Sequence, residues 1–324
     1  MTDKAIIERR TTNGEPSTFL ADSITIPYEQ FEPERLDPIY DVAAPYSEMS
    51  KNERYFLNGI IRAMKPKKIL EVGVANGGGT SIILNAISDI EGANLYSVDY
   101  TEKSYRYPDK PSGFLVEEKF PQFLDKWRIF RGGDVSRFIE ETGGGIELFM
   151  LDTVHTHPWE TLNFLCVLPF MKIGSWVVLH DITLFMNPSD RHALACGYLY
   201  AGVVSDEKVT PAPDNPARKF ANIGAFRVSE ATVKYVNNLF EMLLVPWNIQ
   251  VSGRDLEDIS RIIQKYYSPE QYRFFCDALE FQEYMFKHPA NFHSKVRHYL
   301  QEKASAKTYS FLSKIRRSLR RFKI

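Results

Sequence analysis

The sequence predicts an α/β protein with a doubly wound, mostly parallel sheet, an N-terminal arm and C-terminal helices. Between residues 67 and 182, five short apolar runs alternate with stretches of helical periodicity. Each run is nearly continuous in apolar residues rather than alternating, the pattern of strands covered on both faces. No internal repeat or low-complexity tract competes with this reading.

Residues 1–49 are rich in Pro, Glu, Asp and Tyr without a sustained period, and they read as an extended arm or lid. The globular body, residues 50–230, opens on a capping box: Ser50 and Glu53 precede Tyr55, Phe56, Leu57, Ile60, Ile61 and Met64, spaced for one helix face, and Pro66 ends that helix. KKILEVGV (67–74) follows as the first strand, GGTSIILNAISDI as a helix and NLYSVDY (94–100) as the second strand. VEEKFPQFLDKW reads as one helix, RIFRGG as the third strand and VSRFIEET as the next helix. IELFMLDT (146–153), WETLNFLCVLPFM and SWVVLHDI (175–182) complete the series as strand, helix and strand. Past Ile182 the regularity fails, with one helix expected in 183–220 and NIGAFRVS (222–229) as a last strand. Residues 231–292 form a helical region. One helix spans Asp255 to Tyr267, and the next opens at Ser268-Pro269-Glu270-Gln271 with an N-cap serine and an N1 proline.

A chain of 324 residues that is 44% hydrophobic can bury a large core. With 40 Lys and Arg against 41 Asp and Glu, a general nucleic-acid coat is excluded. The three cysteines, Cys166, Cys196 and Cys276, lack CxxC spacing, which supports neither a disulfide framework nor a cysteine zinc cluster and suits a reducing compartment. No secretory h-region and no apolar run of roughly 18 residues occurs, so the expected location is cytoplasmic.

In such a sheet, ligands bind beyond the carboxyl ends of the strands, near the switch in strand order. The first strand ends in Glu71-Val72-Gly73-Val74-Ala75-Asn76-Gly77-Gly78-Gly79-Thr80, a small-residue turn into a helix whose free N–H groups can face a polar ligand. A Walker loop is excluded, because Gly-Gly-Thr stands where Gly-Lys-Ser/Thr is needed. A dinucleotide fingerprint would need glycine where Ala75 stands. Glu71, two residues before the first glycine, can take an ammonium group, which S-adenosylmethionine has and NAD lacks. Asp99 closes the second strand, where a carboxylate can accept ribose hydroxyls. Asp152 ends the fourth strand with His155 and His157 just after it, and His180 and Asp181 end the fifth. Three of seven histidines are thus expected at one sheet edge. A histidine there can take a proton from a substrate hydroxyl.

Taken together, ILEVGVANGGGTS, SVDY, Gly133-Asp134, LDTVHTH and VVLHDI resemble class I S-adenosylmethionine-dependent methyltransferases, with their Rossmann-like fold, over about residues 50–230. Ser-Glu-Met-Ser (47–50) and the histidines after strands four and five are similar to the catechol-type and sugar O-methyltransferases. The resemblance implies Glu71, Gly73, Ala75 and Gly77 around the methionine moiety, Asp99 on ribose, Asp134 near adenine, and Asp152 at the cofactor's edge of the sheet. His155, His180 and Asp181 are the candidate catalytic residues. Relatives often hold a divalent cation at these strand ends, which makes Asp152 and Asp181 candidate magnesium ligands, although Val154 and His180 stand where acids are common.

The expected activity is O-methyl transfer to a hydroxyl of a small molecule, with a sugar or glycan acceptor and a place in polysaccharide biosynthesis. The arm and residues 183–220, with Phe19, Tyr28, Phe31, Tyr40, Tyr46, Phe185, Tyr198 and Tyr200, would form the acceptor pocket. Two other readings are an NAD-dependent oxidoreductase and a catalytically silent methyltransferase-like module. Residues 293–324 carry ten Lys or Arg against one acid. Within this tail Phe311, Ile315, Leu319 and Phe322 make an apolar stripe flanked by basic residues, which suits a peripheral contact with an anionic membrane. A homo-oligomer is also allowed.

Overall fold

The computed structural model describes residues 33–213 and 220–287. The order of elements is α1 (Pro33–Ala43), α2 (Lys51–Met64), β1 (Lys68–Val72), α3 (Gly78–Ile87), β2 (Asn94–Asp99), α4 (Phe114–Lys119), β3 (Trp127–Arg131) and α5 (Val135–Thr142). Then come β4 (Ile146–Leu151), α6 (Trp159–Val167), β5 (Met171–His180), α7 (Ala195–Gly202), β6 (Lys208–Val209), β7 (Ile223–Arg227), α8 (Glu230–Lys234), α9 (Asn237–Met242), α10 (Gly253–Tyr266) and α11 (Pro269–Lys287).

The strands form one sheet in the order β3-β2-β1-β4-β5-β7-β6. The first five are parallel, and β7 runs antiparallel between β5 and β6. The expected mostly parallel α/β sheet is therefore present. Its order reverses between β1 and β4, where a crevice for a ligand belongs.

Alternation along each strand sends side chains to two cores. Leu70, Val72, Phe149, Leu151, Val177 and Leu179 pack with α5, α6, α7, α10 and α11, while Ile69, Leu148, Met150 and Val178 pack with α1, α2 and α3.

Three sequence expectations need correction. The arm is not wholly extended, because α1 docks on α3. Leu36 is fully buried, and Arg35 bonds to Ser88 Oγ and the Asn85 carbonyl at α3's end. Tertiary contact there overrides a proline-rich, non-periodic sequence. The helix expected over VEEKFPQFLDKW breaks at Phe120, because Pro121 cannot continue the ladder and starts a 3-10 turn instead. The helix expected over WETLNFLCVLPFM ends at Val167, and β5 begins at Met171, ahead of Ser175. The expected helical region after β7 holds two short helices, α8 and α9, ahead of the two whose starts the sequence marked.

Candidate active site

The glycine loop is shaped by backbone contact. Gly73 has φ +94°, and a Cβ on it would lie 1.7 Å from the Asp152 carbonyl oxygen, so β1 and β4 meet there with no room for a side chain. Gly77 has φ +96° and lies against Gly113. Gly77 caps α3 without a side-chain hydrogen bond, so no side chain caps the first N–H groups of the helix. Glu71 points inward, and its oxygens accept from Thr80 Oγ1 (3.0 and 2.9 Å) and Ser97 Oγ (2.7 Å). Burial pushes its pKa up to about 8.

Asp99 is the loop's clamp. Oδ2 accepts from the N–H groups of Val74 (3.0 Å) and Ala75 (2.8 Å), and Oδ1 accepts from Thr101 N and Oγ1, both 2.8 Å. Ala75, standing in the central glycine position, takes φ +50°, a conformation costing a non-glycine residue about 1 to 2 kcal/mol. The Asp99 bonds hold it there. Asp134 caps α5 through Ser136 N (2.9 Å) and accepts from Asn163 Nδ2, and its burial raises its pKa. The sequence offered these two acids as ribose and adenine partners. In the structure their oxygens already hold protein donors.

The ends of β4 and β5 gather the titratable groups. His155 Nε2 lies 3.0 Å from Asp181 Oδ2 and 3.7 Å from Asp152 Oδ1. His180 Nδ1 lies 3.3 Å from both Asp152 Oδ1 and Asp181 Oδ2, and its Nε2 lies 3.3 Å from Glu53 Oε2. Asp181 Oδ1 accepts from Asn222 Nδ2 at the start of β7. Burial alone would lower both histidine pKa values, but the surrounding carboxylates win. His155 is raised to about 8 by Asp181, Asp152 and Glu160, and His180 is raised well above its ordinary value by Asp152, Asp181 and Glu53. The two imidazoles hold Asp181 well below the usual carboxylate range despite its burial. His155 (φ +57°) and Asp181 (φ +60°) share Ala75's left-handed backbone, so three of the four such non-glycine residues among the described ones lie just past strand ends, the fourth, Lys65, capping α2.

The third histidine does not join them. His157 is fully buried against the Tyr198 ring, and burial lowers its pKa to about 4, so it packs as a neutral side chain. Several expected pocket aromatics also serve packing. Tyr40 lies under Lys51 and Arg54, Tyr46 packs on Tyr107 and Phe114, and the Tyr200 hydroxyl meets the Val209 carbonyl. Phe19, Tyr28, Phe31 and the tail lie outside the described residues.

Among the described residues, Asp152, His155 and Asp181 could bring donor atoms to one ion, and so could His155, Glu160 and Cys196. The first set suits magnesium poorly. That ion wants a near-octahedral shell of oxygens, whereas here both carboxylates face imidazole nitrogens. Sequence reasoning missed Glu53, Glu160, Cys196 and Asn222. Only Glu53 carried a signal, as the capping-box acid whose Oε2 accepts from Ser50 N (2.6 Å) and also reaches His180.

Residues 70–182 match the family model described as a methyltransferase domain. With the sheet order, this match supports a class I, S-adenosylmethionine-dependent methyltransferase domain over the oxidoreductase reading. Among solved structures, the chain is similar to TomG of Streptomyces achromogenes, an O-methyltransferase of tomaymycin synthesis in complex with SAM. They share 13% identity over 60% of this chain and 90% of that one, with a TM-score of 0.44. It is also similar to the SAH-bound methyltransferase PaMTH1 of Podospora anserina (14%, 64% and 91%, 0.44) and to an O-methyltransferase of Bacillus cereus in complex with SAH (15%, 60% and 90%, 0.41). No curated protein matches the chain.

Proposed function

We propose that the protein transfers the methyl group of S-adenosylmethionine to a hydroxyl of a small molecule, with a sugar or glycan as acceptor, as in polysaccharide biosynthesis. The observation that carries this reading is the His155–Asp181–Asp152 cluster past the ends of β4 and β5, next to the switch in strand order that the glycine loop adjoins. The uncapped start of α3 would take the cofactor's carboxylate. Neutral His155 would accept the hydroxyl proton as oxygen attacks the methyl carbon, and Asp181 would stabilise the resulting imidazolium. Alignment of oxygen and carbon at about 3 to 3.5 Å would supply much of the acceleration. His180 is almost fully buried and held protonated, which fits a fixed cation between Asp152 and Asp181 rather than the base. Exposed Val154, Met186 and Phe220, on loops leaving this edge, would offer an apolar wall to a sugar face or a ring.

The test is calorimetry with S-adenosylmethionine and NAD, followed by a labelled methyl-transfer screen against sugar-nucleotide, glycan and catechol pools, with and without EDTA. Expected are S-adenosylmethionine binding and labelling of a sugar pool that survives EDTA, since the carboxylates face imidazoles. Cofactor binding with no labelled product in any pool would favour the silent-module reading instead.

No described helix is long and apolar enough to cross a membrane. Residues 311–324 would give peripheral contact at the inner face, each Lys or Arg near anionic lipid contributing about 1 kcal/mol. The full chain should co-sediment with anionic vesicles and be released by high salt, while a chain ending at Tyr309 should not bind. Equal, negligible binding by both would remove the membrane. A homo-oligomer would appear as a multiple of 37.4 kDa in sedimentation.

A further inference from the structure

We infer that His155, Glu160 and Cys196 form a site for one borderline-soft divalent cation of the zinc class, separate from the Asp152 and Asp181 carboxylates. His155 sits on the loop after β4, Glu160 in the first turn of α6 and Cys196 in the first turn of α7. The His155 Nδ1 atom lies 3.7 Å from Cys196 Sγ and 3.8 Å from Glu160 Oε1, and all three residues place a donor atom within 4.8 Å of the others. Tetrahedral zinc with nitrogen and oxygen at about 2.0 Å and sulfur at about 2.3 Å spaces its ligand atoms roughly 3.3 to 3.6 Å apart, so the two distances from His155 Nδ1 need close by only a few tenths of an ångström.

Two further observations point to an ion. Glu160 has zero exposure, and its Oε1 accepts from His155 N (2.7 Å) and Thr153 Oγ1 (2.9 Å), which fixes the carboxylate, while no N–H or O–H reaches its Oε2. A buried carboxylate oxygen without a donor is costly, and a cation removes that cost. On the far side of the ring, His155 Nε2 stands 3.0 Å from Asp181 Oδ2, the outer carboxylate that metal-ligating histidines commonly use to fix tautomer and ring orientation. One nitrogen, one oxygen and one sulfur select zinc over magnesium or calcium. Binding exchanges the Cys196 thiol proton for the ion, the proton leaving to solvent, and three protein ligands leave the fourth position to water.

An ion on Nδ1 fixes the remaining proton on Nε2, so zinc would also silence His155 as a base. That consequence rests on the reaction proposed above, but the binding does not.

The full chain, stripped with a chelator, is titrated with Zn²⁺ by calorimetry and with Co²⁺ by absorption, and melting is followed with and without zinc. One ion per chain, a thiolate-to-cobalt absorption band and a zinc-dependent rise in Tm are expected. Cys196→Ser should lose the band and the rise and weaken binding at least tenfold. Cys276→Ser, at the exposed cysteine, and Asp152→Asn should keep all three. If Cys196→Ser does not fold, Glu160→Gln takes its place with the same expected tenfold loss. Absence of the band in the wild type, or zinc binding lost in Asp152→Asn and retained in Cys196→Ser, would overturn the site. Zinc binding without inhibition of methyl transfer would instead count against the base mechanism alone.

Discussion

Replacing His155 with alanine should lower turnover by about 10² to 10⁴-fold while S-adenosylmethionine binds much as before, the signature of a lost general base. The pH profile sharpens the test. The base is the neutral imidazole, and the carboxylates of Asp181, Asp152 and Glu160 raise its pKa to about 8, so at pH 7 only about one molecule in ten carries the reactive form. Wild-type kcat/KM should therefore rise through pH 8 and level off above it, and His155→Ala should lose that inflection together with its rate. Retention of both would leave alignment of the two reactants as the source of catalysis.

Gly73→Ala should be the most destabilising conservative change in the domain. The added methyl would sit 1.7 Å from the Asp152 carbonyl oxygen, a backbone atom that cannot swing aside, and φ +94° suits no residue with a Cβ. Strain and overpacking together predict a loss of about 2 to 5 kcal/mol, a fall in Tm of roughly 5 to 15 °C. Chemical denaturation would measure it, and a loss below about 1 kcal/mol would mean that the β1 and β4 ends separate more easily than the contact implies.

Much of this molecule was legible in its sequence because its strands are short, apolar and punctuated. Asp152, His155, His180 and Asp181 could be named as neighbours because each ends, or directly follows, one of two adjacent parallel strands, and parallel pairing brings those ends together. Glu160 and Cys196 could not, since they reach His155 from helices whose periodicity reveals only which face is buried. His157 misled, because two residues of separation say nothing about a turn that sends one ring to the edge and the next into the core. The acids Asp99 and Asp134 were placed correctly at strand ends, but their local bonds depend on which backbone N–H groups the folded loops present. The α1 helix was hidden by its own composition, for its stability comes from α3.

The antiparallel insertion of β7 carries a consequence for how the chain is made. The matched methyltransferase segment stops at Ile182, yet β5 has its second neighbour only when Ile223–Arg227 arrives, and Asn222 brings Asp181 its partner at that same moment. As the nascent chain emerges, the segment with the recognisable pattern therefore waits with one sheet edge unpaired, a state open to wrong association. A fragment cut at the borders of the pattern would remain in that state permanently. The unit that synthesis must complete before the fold can close extends at least to Arg227, well past the pattern that identifies it.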